Sequence, residues 1–361
     1  MRGPYEVSLE TKPKPTAINP HNGFKNLKNP LNIDHVSGVI RNEMSLPKET
    51  EFHFVRSRPW SSIIEFSHKE KLFVAKVEHL SSDLYFCFIK ALPILNTDTV
   101  ISPICFVKEN CISVFEIEQK LTLREELRRG GQTFDQLNDV MFGYGLLQLN
   151  FTKHRAKNPA SDYLFQASRK SFEEAVLSGA TSADKILNMQ SGCLRNEVRS
   201  LLNSNQFREL PDTLIHTDLH DGNIFFQNDR WKIGDWSELL VGPMGADIML
   251  FFHAVGMAHP SKPMSDLVLP AFSHYMRSVG GLLAREQWIF ALESGYKLLP
   301  AIQLNSLQQS TSNIDSTHIE VTTEQKFWAE ALLTAFDDKQ TSQNQFLNEI
   351  QTQVDRNIGI K

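Results

Sequence analysis

Between Leu214 and Asp247 the chain reads LIHTDLHDGNIFFQNDRWKIGDWSELLVGPMGAD, with His216, Asp218, Asn223 and Asp235 at short intervals among apolar residues. Ile215, Ile224, Phe225, Phe226 and Ile233 are β-branched or aromatic and are bounded by Gly, Asp and Asn, a pattern that predicts short, half-buried strands. Asn228-Asp229 supplies the turn between two of them. Strands joined this way present their polar residues from turns toward one cleft. Asp218 comes first, on a loop; Asn223 follows where that loop ends; Asp235 arrives after the hairpin.

Phosphoryl transfer has a use for such a set, because it needs little covalent chemistry from the protein and much positioning and charge neutralisation. A carboxylate beside the acceptor hydroxyl orients it and takes its proton, a role that suits Asp218. A second carboxylate and an amide oxygen suit Mg²⁺, a hard cation that prefers oxygen and keeps waters and phosphates as its other ligands. Asp235 and Asn223 offer these. Each residue alone would be an ordinary turn former. His-x-Asp-x-x-x-x-Asn followed by Gly-Asp-Trp, with strands between, points to chemistry instead.

HTDLHDGN resembles the catalytic loop of the aminoglycoside phosphotransferase and choline kinase family, the small-molecule branch of the protein-kinase-like superfamily. Protein kinases carry lysine two residues after the catalytic Asp, where this chain has His220. GDWSE resembles that branch's metal-binding segment, and GPMGAD the segment after it, whose Asp (here Asp247) hydrogen-bonds back to the catalytic loop. The match is strong only over Leu214–Asp247; elsewhere it is one of element order. The resemblance implies a two-lobed α+β fold: a small N-terminal lobe with an antiparallel sheet and one helix, and a larger, mainly helical C-terminal lobe. It implies ATP, with GTP as the other candidate donor, Mg²⁺, and a hydroxylated small molecule as acceptor. His216 is expected to pack and hydrogen-bond within the loop, and His220 to buttress Asp218.

At 361 residues, with 41% apolar and 22% charged residues, the chain can bury a large core, in two domains or one two-lobed domain. A net charge of -5 and the lack of a basic stripe argue against a nucleic-acid partner. No apolar run near the motif is long enough to span a bilayer, and the N-terminus lacks a basic segment followed by an apolar one, so a cytoplasmic protein is expected. The four cysteines form no Cys-x-x-Cys pair and read as buried thiols. Nothing in the sequence indicates an oligomeric state.

Residues 1–45, rich in Pro, Asn and Lys, are expected to be an arm lying on the surface rather than an ordered cap. Residues 46–118 form the expected nucleotide-binding lobe, and 119–361 the catalytic and acceptor-binding lobe. His53 to His79 alternates as strands do. Arg56–Ser62 falls where the resemblance places a phosphate-covering loop, but it contains no glycine, so Ser61 and Ser62 would contribute hydroxyls instead of close backbone N–H groups. Lys76 in Val74-Ala75-Lys76 resembles the kinase lysine that meets the α- and β-phosphates, in a segment one residue shorter than the kinase pattern. The helix expected over Ser81–Leu92 contains Asp83 and no Glu, which leaves Asp83, Glu78 or phosphate alone to hold that lysine. Phe115 to Glu118 resembles the interlobe linker, so the backbone of Glu116, Ile117 and Glu118 would meet the adenine edge.

Beyond Leu121 the period is helical. Thr122 with Glu125 and Thr133 with Gln136 are capping boxes, and Leu137, Met141, Tyr144 and Leu147 form a core stripe. Asn305–Thr323 reads as a polar mobile loop, and the tail from Asp337 as a frayed helix. Two rival readings remain: a non-catalytic nucleotide-binding scaffold, which the glycine-poor loop favours, and a protein kinase, which the missing lysine and the absence of an Ala-Pro-Glu segment oppose.

Overall fold

The computed structural model describes residues 33–359, apart from 59–60, 79–82, 96, 119–120, 130–134, 158–162, 190–191, 260, 312–318 and 338–340. Helix α1 (Ile33–Met44) precedes strands β1 (Phe52–Arg58), β2 (Ser61–His68) and β3 (Lys71–Glu78), helix α2 (Asp83–Leu95), and strands β4 (Cys105–Val107) and β5 (Ile112–Ile117). The five strands make one antiparallel sheet in the order β1-β2-β3-β5-β4. Period-2 alternation gives that sheet two different faces. Ile64, Phe66, Phe73, Ala75 and Val77 turn to one side and pack on Val36 and Ile40 of α1. Lys76 and Glu78 turn to the other.

Helix α1 lies inside the segment expected to be a surface arm. Val36 and Ile40, one helical turn apart, are buried in the small-lobe core, so this part of the segment is an ordered cap.

The larger region begins with α3 (Leu123–Arg128), whose N-terminus carries the expected Thr122–Glu125 capping box. It continues with α4 (Asp135–Lys157), α5 (Tyr163–Gln166), α6 (Lys170–Ile186), α7 (Cys193–Asn203) and α8 (Asn205–Glu209). Thr133, of the second box, lies outside the described residues. Four short strands follow: β6 (Asp212–Ile215), β7 (Ile224–Gln227), β8 (Arg230–Ile233) and β9 (Leu240–Pro243). The last helices are α9 (Ile248–Ala258), α10 (Met264–Ser278), α11 (Arg285–Ser310), α12 (Ile319–Ala335) and α13 (Thr341–Gly359). The stripe Leu137, Met141, Tyr144 and Leu147 is buried as expected. It shares one core with Tyr85 and Phe88 of α2, and Phe88 lies 4.8 Å from Trp236 beside the motif. The small lobe's helix is thus anchored on the large lobe.

Two corrections concern helix extent. Much of Asn305–Thr323 is not a loop: α11 runs on through Ser310, with Leu304 and Leu307 buried, and α12 starts at Ile319. The polar tail contains α13, where Ile350 and Val354 fall on one face and enter the main core. In both cases a sparse apolar stripe outweighs polar composition. Of the cysteines only Cys111 is buried; Cys193 is exposed and no two are bonded. Among the described residues no helix is long and apolar enough to cross a membrane.

Candidate active site

Two small ladders hold the polar residues of the motif. β6 pairs antiparallel with β9, and β7 with β8 through a two-residue turn in which Asn228 and Asp229 have φ of 53° and 59°. Positive φ at both positions marks a type I′ turn, which Asn and Asp adopt more readily than most residues. The loop after β6 and the segment after β8 are tied together where the Gly234 N–H donates to the Asn223 carbonyl at 2.8 Å. Asp218, Asn223 and Asp235 are thereby brought to one place.

His216 is the brace of this junction. It is buried, and its Nε2 lies 2.9 Å from the Gly234 carbonyl, while its Nδ1 accepts from the Asp218 N–H at 3.2 Å. Those partners require the neutral tautomer protonated at Nε2. Burial also pushes its pKa down, against the Gly234 carbonyl and the Asp218 carboxylate. The His216 N–H donates to Asp247 Oδ2 at 3.2 Å, which places Asp247, fully buried, behind the loop. Tyr144 and Gln148 of α4 donate to the same oxygen. Burial raises the Asp247 carboxyl to about 6, with the Tyr144 and His216 hydrogen bonds opposing.

The Asp218 side chain is 45% exposed and open to a reactant. Asn223 Nδ2 donates to the Asp218 carbonyl at 2.9 Å and to Oδ2 at 3.2 Å, and His220 Nε2 stands 3.6 Å from Oδ2. The amide's NH₂ end is therefore spent on the loop, and its oxygen points elsewhere.

Asp235 has φ of 59°, the left-handed region that non-glycine residues adopt rarely and that concentrates at functional sites. Its Oδ1 meets Lys76 Nζ across the cleft. Lys76 also donates to Glu78 Oε1 at 2.5 Å, and Ser237 Oγ donates to Glu78 at 2.6 Å. Burial works to lower the Lys76 pKa, but the Asp235 and Glu78 carboxylates overcome it and hold the ammonium well above the usual lysine range. Burial likewise works against the Asp235 charge, and Lys76 outweighs it, so that carboxyl sits below its ordinary value. Glu78 goes the other way, since its desolvation exceeds what Lys76 returns.

The expected nucleotide contacts divide. In the β2–β3 ladder Ser61 faces Glu78 and Ile63 faces Lys76, so Ser61 shares the lysine's side of the sheet. Ser62 does not: it is buried on the opposite face with Ile64 and Phe66, and is corrected from a phosphate contact to a core hydroxyl. The expected phosphate loop is also shorter than read, because β1 and β2 extend through Arg58 and from Ser61; residues 59–60 lie outside the described set. Glu116 lies in β5, its side chain on Lys71 at 2.8 Å and its carbonyl accepting from Gln227 at 3.0 Å. Ile117 ends β5, and the Glu118 carboxylate accepts from the Asn228 N–H. Asp83 does not reach Lys76; it pairs with Lys108 at 2.6 Å.

Sequence reasoning missed four features. Asp221 is fully buried between Arg124 of α3 and His259 after α9, each at 2.7 Å. A Cβ on Gly222 would stand 2.9 Å from the His220 ring and 3.3 Å from the Arg124 guanidinium, so a larger residue there would displace these side chains. Glu238 is exposed yet surrounded by protein charge: desolvation, with Asp218 adding and Ser306 opposing, pushes its carboxyl to about 7. Its place three residues after Asp235 was the available signal. Gln303 of α11 donates to the Thr217 carbonyl and had no local signal at all.

Among the described residues no cluster of three or more His, Cys, Asp or Glu side chains could hold a metal alone. The Asn223 amide oxygen and the Asp235 carboxylate supply two hard oxygens, which suits an ion that completes its shell with phosphate and water.

The family model described as the phosphotransferase enzyme family matches residues 155–269, about a third of the chain and the part that carries the loop. No curated protein sequence matches. Solved structures do, by fold. A choline kinase from Cryptosporidium parvum Iowa II is 12% identical with a TM-score of 0.57, covering 90% of this chain and 99% of its own. The amicoumacin kinase hAmiN in complex with AMP-PNP, Ca²⁺ and Ami is 12% identical with a TM-score of 0.57, covering 85% and 97%. The gentamicin complex of APH(2″)-IIa is 12% identical with a TM-score of 0.55, covering 83% and 95%. A segment that matches the phosphotransferase family model, and that contains the His216–Asp235 motif, thus lies within an α+β fold similar to that of these solved kinases.

Proposed function

We propose that the protein is a small-molecule kinase that transfers the γ-phosphoryl group of ATP to a hydroxyl of an aminoglycoside, an amino sugar, a choline-like alcohol or a biosynthetic intermediate. GTP is the alternative donor. The observation that carries this reading is the convergence at one cleft of Asp218 and Asn223, 3.2 Å apart, with Asp235 and Lys76 in contact. A fold shared with a kinase complexed with AMP-PNP and Ca²⁺ supports the choice of nucleotide and of a divalent cation.

The nucleotide lies between the sheet of residues 46–118 and the lobe from 119 onward. Ser61 and Lys76 meet its phosphates from the sheet, and the Ile117–Glu118 backbone meets the base edge. Asn223 and Asp235 would hold Mg²⁺, which would supply charge neutralisation for the phosphates. Asp218 orients the acceptor hydroxyl and takes its proton as the new O–P bond forms and the bond to the nucleoside diphosphate breaks. His216 keeps the loop in shape as a neutral imidazole, and His220 steadies Asp218. A cytoplasmic setting supplies the donor.

The test is an ADP-release screen of purified protein against hydroxylated metabolites and antibiotics, with Asp218→Ala as the blank. Turnover of at least one acceptor, absent from the blank, is expected. A variant as active as the parent would remove Asp218 from this role.

A further inference from the structure

In the nucleotide site proposed above, Lys76 needs a carboxylate that stays with it, and α2 offers none: its only acidic residue, Asp83, is engaged by Lys108 at 2.6 Å. We propose that Glu78 is a positioning residue that holds Lys76 from the lysine's own strand, so that Asp235 can turn to a divalent cation without leaving Lys76 unpaired.

The geometry follows from the strand. Residues two apart in β3 point to the same face, about 7 Å apart at Cα, a gap that Lys and Glu side chains close easily. They meet at 2.5 Å. Glu78 is fixed independently of α2: its N–H donates to the Cys111 carbonyl at 3.1 Å, and its carboxylate accepts from Ser237 Oγ at 2.6 Å. Among the three charged side chains Glu78 is the least exposed, at 11%, against 19% for Lys76 and 29% for Asp235. The better buried partner therefore keeps the lysine, and the more open one faces the cleft. The distribution of hydrogen bonds agrees. Asp235 Oδ1 carries Lys76, with Ser237 at 3.2 Å, whereas Ser237 lies closer to Glu78. If Asp235 moves to a cation, Lys76 retains Glu78 and the Ser237 hydroxyl at 3.4 Å. Without Glu78, the lysine and the cation would compete for the same carboxylate oxygen.

The test is calorimetric binding of ADP to the full chain across a Mg²⁺ titration, in the parent, Glu78→Gln, Glu78→Asp and Asp83→Asn. The Mg²⁺ concentration for half-maximal ADP binding should rise about tenfold in Glu78→Gln, the low end for loss of one charged contact. Glu78→Asp, which keeps the charge one methylene back, should fall between, and Asp83→Asn should match the parent. If Glu78→Gln does not fold, as its melting curve would show, Glu78→Asp carries the test. A parental Mg²⁺ midpoint in the folded Glu78 variants, with ADP still bound, overturns the assignment to Glu78 and leaves the nucleotide site standing. A parent that binds no Mg-ADP overturns the nucleotide reading and this proposal with it.

Discussion

Asp221 and Asp235 belong to one loop-and-hairpin unit and each pairs with a basic side chain, Arg124 and Lys76, yet their surroundings differ. Asp221 is fully buried, one oxygen on Arg124 and the other on His259, each contact at 2.7 Å. Both partners come from elements outside the loop, so the carboxylate knits α3 and the end of α9 to the turn that carries Asn223. Asp235 is 29% exposed, sits at a positive φ, and shares its lysine with Glu78. A carboxylate with both oxygens engaged and no access to water is a fixture of the fold. One that is half open, strained and paired to a cation with a second partner is free to exchange that cation for another. Asp218, more open still, belongs with Asp235.

The comparison breaks most visibly at Asp218. Replacing it with Ala should lower turnover by about 10²–10⁴-fold, the usual range for a lost general base, while melting and Mg-nucleotide affinity stay close to parental. Nucleotide affinity falling in step with turnover would make Asp218 part of the fixture instead. The next effect separates the other two carboxylates. Asp221→Ala should cost about 3 kcal/mol of stability, at the low end for a broken buried ion pair because Arg124 keeps some water contact. Asp235→Asn should melt near the parent, since Lys76 retains Glu78, but should lose the metal dependence of nucleotide binding. Thermal melts and calorimetric titrations of the two variants read both differences. Equal melting losses would erase the distinction drawn between them.

How much of this was legible beforehand follows the same line. The His216–Asn223 loop could be read because its residues act locally: Asp218 and Asn223 meet within one loop, and Asn228-Asp229 form the turn their side chains favour. The two lobes, the single small-lobe helix and the stripe from Leu137 to Leu147 could be read because hydrophobic period reports burial. Contacts joining distant segments could not. Nothing near Asp221 announces Arg124, which lies 97 residues earlier, or His259, 38 later. Ser62 was misplaced by one step of the strand, enough to turn a side chain from the cleft to the core. Glu78 stood open as one of three partners for Lys76, and only the sheet geometry, with Asp83 drawn off to Lys108, separates them.

The smallest expected effect concerns Glu238, whose neighbours place it between the two classes of carboxylate. It is more exposed than Asp235, and among the described residues no cation pairs with it. Desolvation raises its carboxyl to about 7, with Asp218 adding to the shift and the Ser306 hydroxyl opposing it. A raised carboxyl is mostly protonated below that value and mostly anionic above it, so its negative charge grows as pH rises from 6 to 8. An acceptor that carries an amine should therefore show a KM that falls a few-fold across that window, about the size of one exposed ion pair. A neutral polyol should show no such trend. Glu238→Gln should flatten the amine profile with kcat little changed, because Glu238 stands beside Asp218 and is not among the residues assigned to the transferred phosphoryl group. Steady-state kinetics at constant ionic strength, with an amine and a polyol acceptor side by side, reads all of this. A slope that survives Glu238→Gln would move the titrating group elsewhere.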